Sequence, residues 1–145
     1  MNMNPRLNSS GCRDPVAFEA IGRVIRQERN KKKKTTLPKV YICSPFRGDT
    51  KTNTANAIKY CRFALKCGKF PIATHIWFPL FMDDDNPDER QLALKIGLWL
   101  LRQCGEVWVF GDRISEGMAA EIKTAKKQDK QIKYFNENME EISND

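Results

Sequence analysis

The chain has 145 residues, 41% of them hydrophobic, which predicts one domain large enough to bury most of its unfolded surface. No apolar run approaches the roughly 18 residues of a membrane span and no signal-peptide core is present, so the sequence predicts a cytoplasmic protein without membrane contact. The net charge of +7 lies wholly in residues 1–39, where ten basic residues face three acidic ones; residues 40–145 carry 15 of each, so the body lacks the basic footprint of a nucleic-acid-binding surface.

Residues 1–12 are polar and predict disorder. Asp14-Pro15 then supplies an N-cap followed by proline at the first helical position, and Val16, Ala17, Ala20, Ile21, Val24 and Ile25 form an apolar face, which predicts a helix over about 15–29. The run Lys31 to Lys34 reads as a solvated basic linker, the alternative being weak nucleic-acid contact through residues 23–39. Val40 to Cys43 reads as a first, central strand, followed by the loop Ser44-Pro45-Phe46-Arg47-Gly48-Asp49 and a helix over about 52–67 that ends at Gly68. A second strand over 70–74 leads into a long loop from His75 to Asp88, which holds Trp77, Phe78, Phe81 and the cluster Asp83-Asp84-Asp85. An apolar helix over about 88–104 precedes a third strand over 106–110, and Ser115 caps a helix running to about 128. A strand over 131–135 completes the series. Alternating β and α elements predict a Rossmann-like or flavodoxin-like parallel sheet with helices on both faces, divided as an N-terminal tail, helix and linker (1–39), the α/β domain (40–136) and an acidic tail (137–145).

Ligands in open parallel sheets bind at the carboxyl ends of the strands, so Ser44, His75, Gly111 and Ser115 are expected to gather at one edge. Glu121 shares a helical stripe with Gly117 and Met118 and has no Lys or Arg three or four residues away. A carboxylate beside Met118, Ile122 and Ala125 is predicted to be partly desolvated, with a raised pKa suited to nucleophilic or acid–base work; the competing reading is a solvated Glu near a helix N-terminus. Ser44, Phe46, Arg47 and Gly48 follow the first strand, where hydroxyl, amide and guanidinium donors suit a phosphate or sugar oxygen, although Ser-Pro and Arg-Gly also make ordinary turns. His75, the single histidine, is either a hydrogen-bonded structural residue or a catalyst. The three aspartates lack the spacing of a calcium loop and read as a solvated acidic turn. Cys12, Cys43, Cys61, Cys67 and Cys104 form no CxxC pair and read as buried reduced thiols, and neither a metal nor a cofactor is expected.

The segments Val40 to Gly48, Pro71 to His75, Cys104 to Gly111 and Ser115 to Ile122 resemble the nucleoside 2-deoxyribosyltransferase-like superfamily, in particular its DUF4406 and DUF7768 group, common in bacteria and their phages. The resemblance spans about residues 40–135, and its most specific element is the SxGxxxE pattern of Ser115, Gly117 and Glu121. It implies cleavage or exchange of an N-glycosidic bond, with Glu121 attacking the anomeric carbon. It further implies that Ser115, Ser44, Arg47 and Gly48 hold a 5′-phosphate, since the branch acting on free nucleosides carries Asp where this chain has Ser115. The superfamily's second carboxylate, which protonates the leaving base, has Gly97 in its place here. That leaves Asp88, Glu89 or His75 as proton donor, or else a pocket that binds a nucleotide or ADP-ribose-type ligand without cleaving it. The resemblance also implies a homo-oligomer.

Overall fold

The computed structural model describes residues 19–26 and 37–143. The chain divides into two compact units, Met1–Leu37 and Pro38–Asp145. In the first, residues 19–26 are helical, in the middle of the helix expected over 15–29. The remainder of that helix, the polar tail 1–12 and the lysine run lie outside the described residues.

The second unit is a five-stranded sheet of order β2-β1-β3-β4-β5. Its strands are β1 (Lys39–Cys43), β2 (Phe70–Ile72), β3 (Glu106–Phe110), β4 (Gln131–Phe135) and β5 (Glu141–Ile142), and its helices are α1 (Thr50–Lys66), α2 (Thr74–Trp77), α3 (Pro87–Arg102) and α4 (Glu116–Lys127). The first four strands are parallel and β5 returns antiparallel to β4, pairing Tyr134 with Ile142. The sheet is therefore the predicted α/β architecture with two differences. The centre is β3 rather than the strand at Val40–Cys43, which lies between β2 and β3, and the acidic tail expected over 137–145 contributes an edge strand. No helix among the described residues is long and apolar enough to cross a membrane.

Side-chain alternation along the buried strands separates two cores. Val40 and Ile42 of β1, with Trp108 and Phe110 of β3, pack with Tyr60 and Ala64 of α1. Tyr41 and Cys43, with Val107 and Val109, pack on the opposite face with Leu101 of α3 and Met118, Ile122 and Ala125 of α4. The α1 side is aromatic: Phe110 stacks on Tyr60 at 4.2 Å and on Phe135 at 4.9 Å between ring centroids. On α3, Gly97 and Leu101 are buried, whereas Leu92, Leu94 and Trp99 are exposed.

Caps set the helix ends. Asp49 caps α1 by accepting from Thr52 N, two residues before the expected start, and Gly68 ends it at φ +79° with Lys69 N donating to Ala64 O at 3.0 Å. The same closure at α4 uses Asp129 at φ 54°, with Lys130 N donating to Ala125 O. The strand expected over 70–74 stops at Ile72, and the expected loop begins instead with α2 and a 3-10 turn, Phe78–Leu80.

Candidate functional site

Tyr41 of β1, the segments that follow β1 and β2, α3 and the first turns of α4 enclose a cavity of about 620 Å³, the size of a site for a small organic ligand. Of the expected site residues, Phe46, Arg47, His75, Ser115, Gly117, Met118 and Glu121 line it. Three do not. Ser44 is buried behind the wall with its hydroxyl unpaired, Gly48 is exposed outside the lining, and Asp88 lies exposed on the first turn of α3 while its neighbour Glu89 faces the cavity.

Glu121 reaches this floor because the strand-loop-helix segment is built in short steps. Phe110 is fully buried, Gly111 bends the chain at φ +105° beside Pro45, and Ser115 Oγ accepts from Met118 N at 3.2 Å to start α4. One turn past Met118, Glu121 faces β1 across the interlayer space. Its Oε2 is buried with no hydrogen-bond partner among the described residues. A buried polar atom left unpaired costs about 1–3 kcal/mol or more if charged, so the carboxyl favours its neutral form. Burial accordingly pushes its pKa up to about 7 from an ordinary 4.5, while the nearby Tyr41 hydroxyl and Cys43 thiol pull partly the other way. Burial also raises the Tyr41 phenol and the Cys43 thiol, and the Glu121 carboxylate raises both further, so each keeps its proton near neutral pH.

The surroundings of Glu121 were only partly visible in the sequence. Tyr41 Oη lies 3.4 Å from Thr74 Oγ1, and Cys43 Sγ lies 3.9 Å from the Met118 carbonyl, which ties β1 to α2 and to α4. Gly97 of α3 lines the cavity, and a Cβ placed there would sit 3.5 Å from Tyr41 Oη, an ordinary contact. Neither Tyr41 nor Cys43 stood out as a site residue, because in an all-apolar strand periodicity does not say which face meets the ligand. Knowing which side α4 covers supplies that information.

At the mouth, Arg47 Nε donates to Asp84 Oδ2 at 3.0 Å, so the acidic turn is partly neutralised rather than wholly solvated. The terminal amino groups of Arg47 make no hydrogen bond to a described residue. The His75 ring stacks on Phe46 at 4.8 Å with an interplanar angle of 10°. Burial lowers its pKa, opposed by the Asp84 carboxylate and the Ser44 backbone, so the imidazole is neutral at pH 7. Among the described residues no group of three or more His, Cys, Asp or Glu side chains is placed to hold a metal ion.

The family model described as a domain of unknown function (DUF7768) matches residues 38–135, from the start of β1 to the end of β4. No curated protein matches the chain.

Proposed function

The chain belongs to the DUF7768 family, whose model spans the whole cavity-forming core, and we propose that it acts on the N-glycosidic bond of a 5′-phosphorylated nucleoside or deoxynucleoside with Glu121 as nucleophile. The observation that carries this reading is the largely buried carboxyl of Glu121, with no cation beside it, in the lining of a ligand-sized cavity. An oxocarbenium-like transition state is stabilised by a carboxylate held against the anomeric carbon, and a buried carboxyl with no protein cation beside it gains most from positive charge that arises in the ligand. The ionised form does the work. Its fraction rises through pH 7 as the carboxyl titrates.

The phosphate is assigned to the N-terminus of the helix that carries Glu121. Ser115 Oγ already accepts from Met118 N, which leaves its O–H to donate, and the amides of Glu116 and Gly117 open at the N-terminus of the 12-residue α4. The terminal amino groups of Arg47, whose Nε is held by Asp84, supply further donors. Single-turnover incubation with deoxynucleoside 5′-monophosphates, following free base by chromatography, tests the reading. Release by wild type and its loss in Glu121→Gln support it, and release that is unchanged in the variant refutes it.

A second reading, a module that binds a nucleotide or ADP-ribose-type ligand without cleaving it, is favoured by Gly97. Where the superfamily's proton-donating carboxylate is expected, this chain has no side chain at all. Tight binding of a monophosphate with base released from neither neutral nor cationic nucleotides decides for the module.

A further inference from the structure

The charge of the cavity does not suit an ordinary nucleotide. Five carboxyl side chains line it, on Asp83, Asp84, Glu89, Glu116 and Glu121, against three basic ones. Arg47 and Asp84 pair with each other, which leaves Asp83, Glu89, Glu116 and Glu121 against Arg90 and Lys95 of α3. His75 adds no positive charge at neutral pH. The floor presents a second anomaly. Beside Glu121 stand Tyr41 and Cys43, whose burial holds their protons well above neutral pH; Gly97, facing Tyr41, brings no side chain, and Glu89 lies eight residues from Gly97 along α3, roughly 12 Å at 1.5 Å per residue. A neutral purine or pyrimidine must be protonated as it leaves, because the departing nitrogen otherwise carries a full negative charge into an acidic cavity.

Resting on the N-glycosidase reading above, we infer that the substrate is a nucleotide whose base is already a cation, of the pyridinium or N7-alkylated purine class. Both anomalies then have one explanation. The carboxylates at Asp83 and Glu89 attract the cationic ring, and the stacked faces of Phe46 and His75, with Phe78 nearby on the wall, offer it an aromatic surface. The Glu121 carboxylate attacks C1′, forming the C1′–O bond. The C1′–N bond breaks, its electron pair returns to the ring nitrogen, and the base leaves neutral with no proton transferred. Water then attacks C1′ of the glycosyl ester and loses a proton to solvent, and the C1′–O bond to Glu121 breaks, restoring the carboxylate. Positive charge beside Glu121 also favours its ionised form, so the ligand itself prepares the nucleophile.

The test uses the full chain and matched probes: 7-methylguanosine 5′-monophosphate against guanosine 5′-monophosphate, and nicotinamide mononucleotide against adenosine 5′-monophosphate, in ribose and deoxyribose forms. The expected result is Glu121-dependent base release at least about 100-fold faster from the cationic member of a pair, the lower range of what a missing general acid is worth. Cationic purine alone, pyridinium alone, or both names the source. Binding is expected to follow, with the cationic member held at least about tenfold more tightly by wild type and that margin reduced in Glu121→Gln. Gly97→Asp, whose Cβ would make an ordinary contact with Tyr41 Oη, is expected to raise release from the neutral nucleotides, with Gly97→Asn as its size control. Release from neutral nucleotides as fast as from cationic ones overturns this inference and leaves the N-glycosidase reading standing. Release from no probe overturns both.

Discussion

Replacing Glu121 by Gln is expected to stabilise the protein, and to do so in a way that depends on pH. The carboxyl's pKa is pushed up to about 7 from an ordinary 4.5, and at about 1.4 kcal/mol per unit that difference amounts to about 3 kcal/mol. Because the folded value is the higher one, the contribution of the neutral carboxyl is complete below pH 4.5 and is lost as pH rises through about 7. The facing groups on β1, Tyr41 and Cys43, stay protonated over this range, and His75 on α2 stays neutral across its upper part. Glutamine keeps the shape without the titration. The stability difference between Glu121→Gln and wild type should therefore grow by about 3 kcal/mol between pH 4 and pH 8.5, equivalent to roughly 10 °C in melting temperature. Urea denaturation followed by circular dichroism at a series of pH values reads it directly. A difference that stays flat within about 0.5 kcal/mol would refute the burial argument and with it the main reason for assigning Glu121 a special role.

If Glu121 is the nucleophile, kcat/KM for base release rises tenfold per pH unit below about 7 and levels above it, the acid limb reporting the free enzyme's carboxyl; a profile flat from pH 5 to 9 counts against it. Ser115→Asp keeps the cap on α4, since Asp serves as well as Ser, but places a negative charge at the proposed phosphate site, so calorimetry should show monophosphate affinity falling far more than nucleoside affinity. Asp129→Gly is expected to raise stability by about 0.5–1 kcal/mol, because the chain there holds φ 54° at the end of α4 and glycine adopts it without steric cost. Gly111→Ala should lower stability by at least about 1 kcal/mol, from φ +105°, and thermal melting separates these last two by sign.

The segment from Val107 to Glu121 was legible because each signal is local: a β-rich run, a glycine, a serine N-cap and a helix, in that order. Helix α3 was equally plain from its length, as was the closure of α1 at Gly68. What escaped depends on separation along the chain or on shortness. Arg47 meets Asp84 37 residues away, and no pattern of spacing announces such a pair. The four residues of α2 and the two of β5 are too few to show a period. Asp88 and Glu89 differ by one helical step, about 100°, which decides which of them faces the cavity and lies within the error of any reading of helix phase. The position of β1 beside the centre, rather than at it, follows from strand order, and parallel strands of similar composition do not declare their order.

Both margins of the sheet are closed to further strands. At β2, Phe70 N donates inward to Pro38 O at 2.8 Å, so the following amide position points outward, and it is filled by Pro71, which has no N–H to offer. At the other margin the four parallel strands are finished by β5, two exposed residues running the opposite way, one of them Glu141. A newly arriving chain finds too few outward donors on one side and too short and charged a template on the other. Among the described residues, the sheet margins thus steer copies of this protein away from continuous β-pairing and toward contacts through helix and loop surfaces.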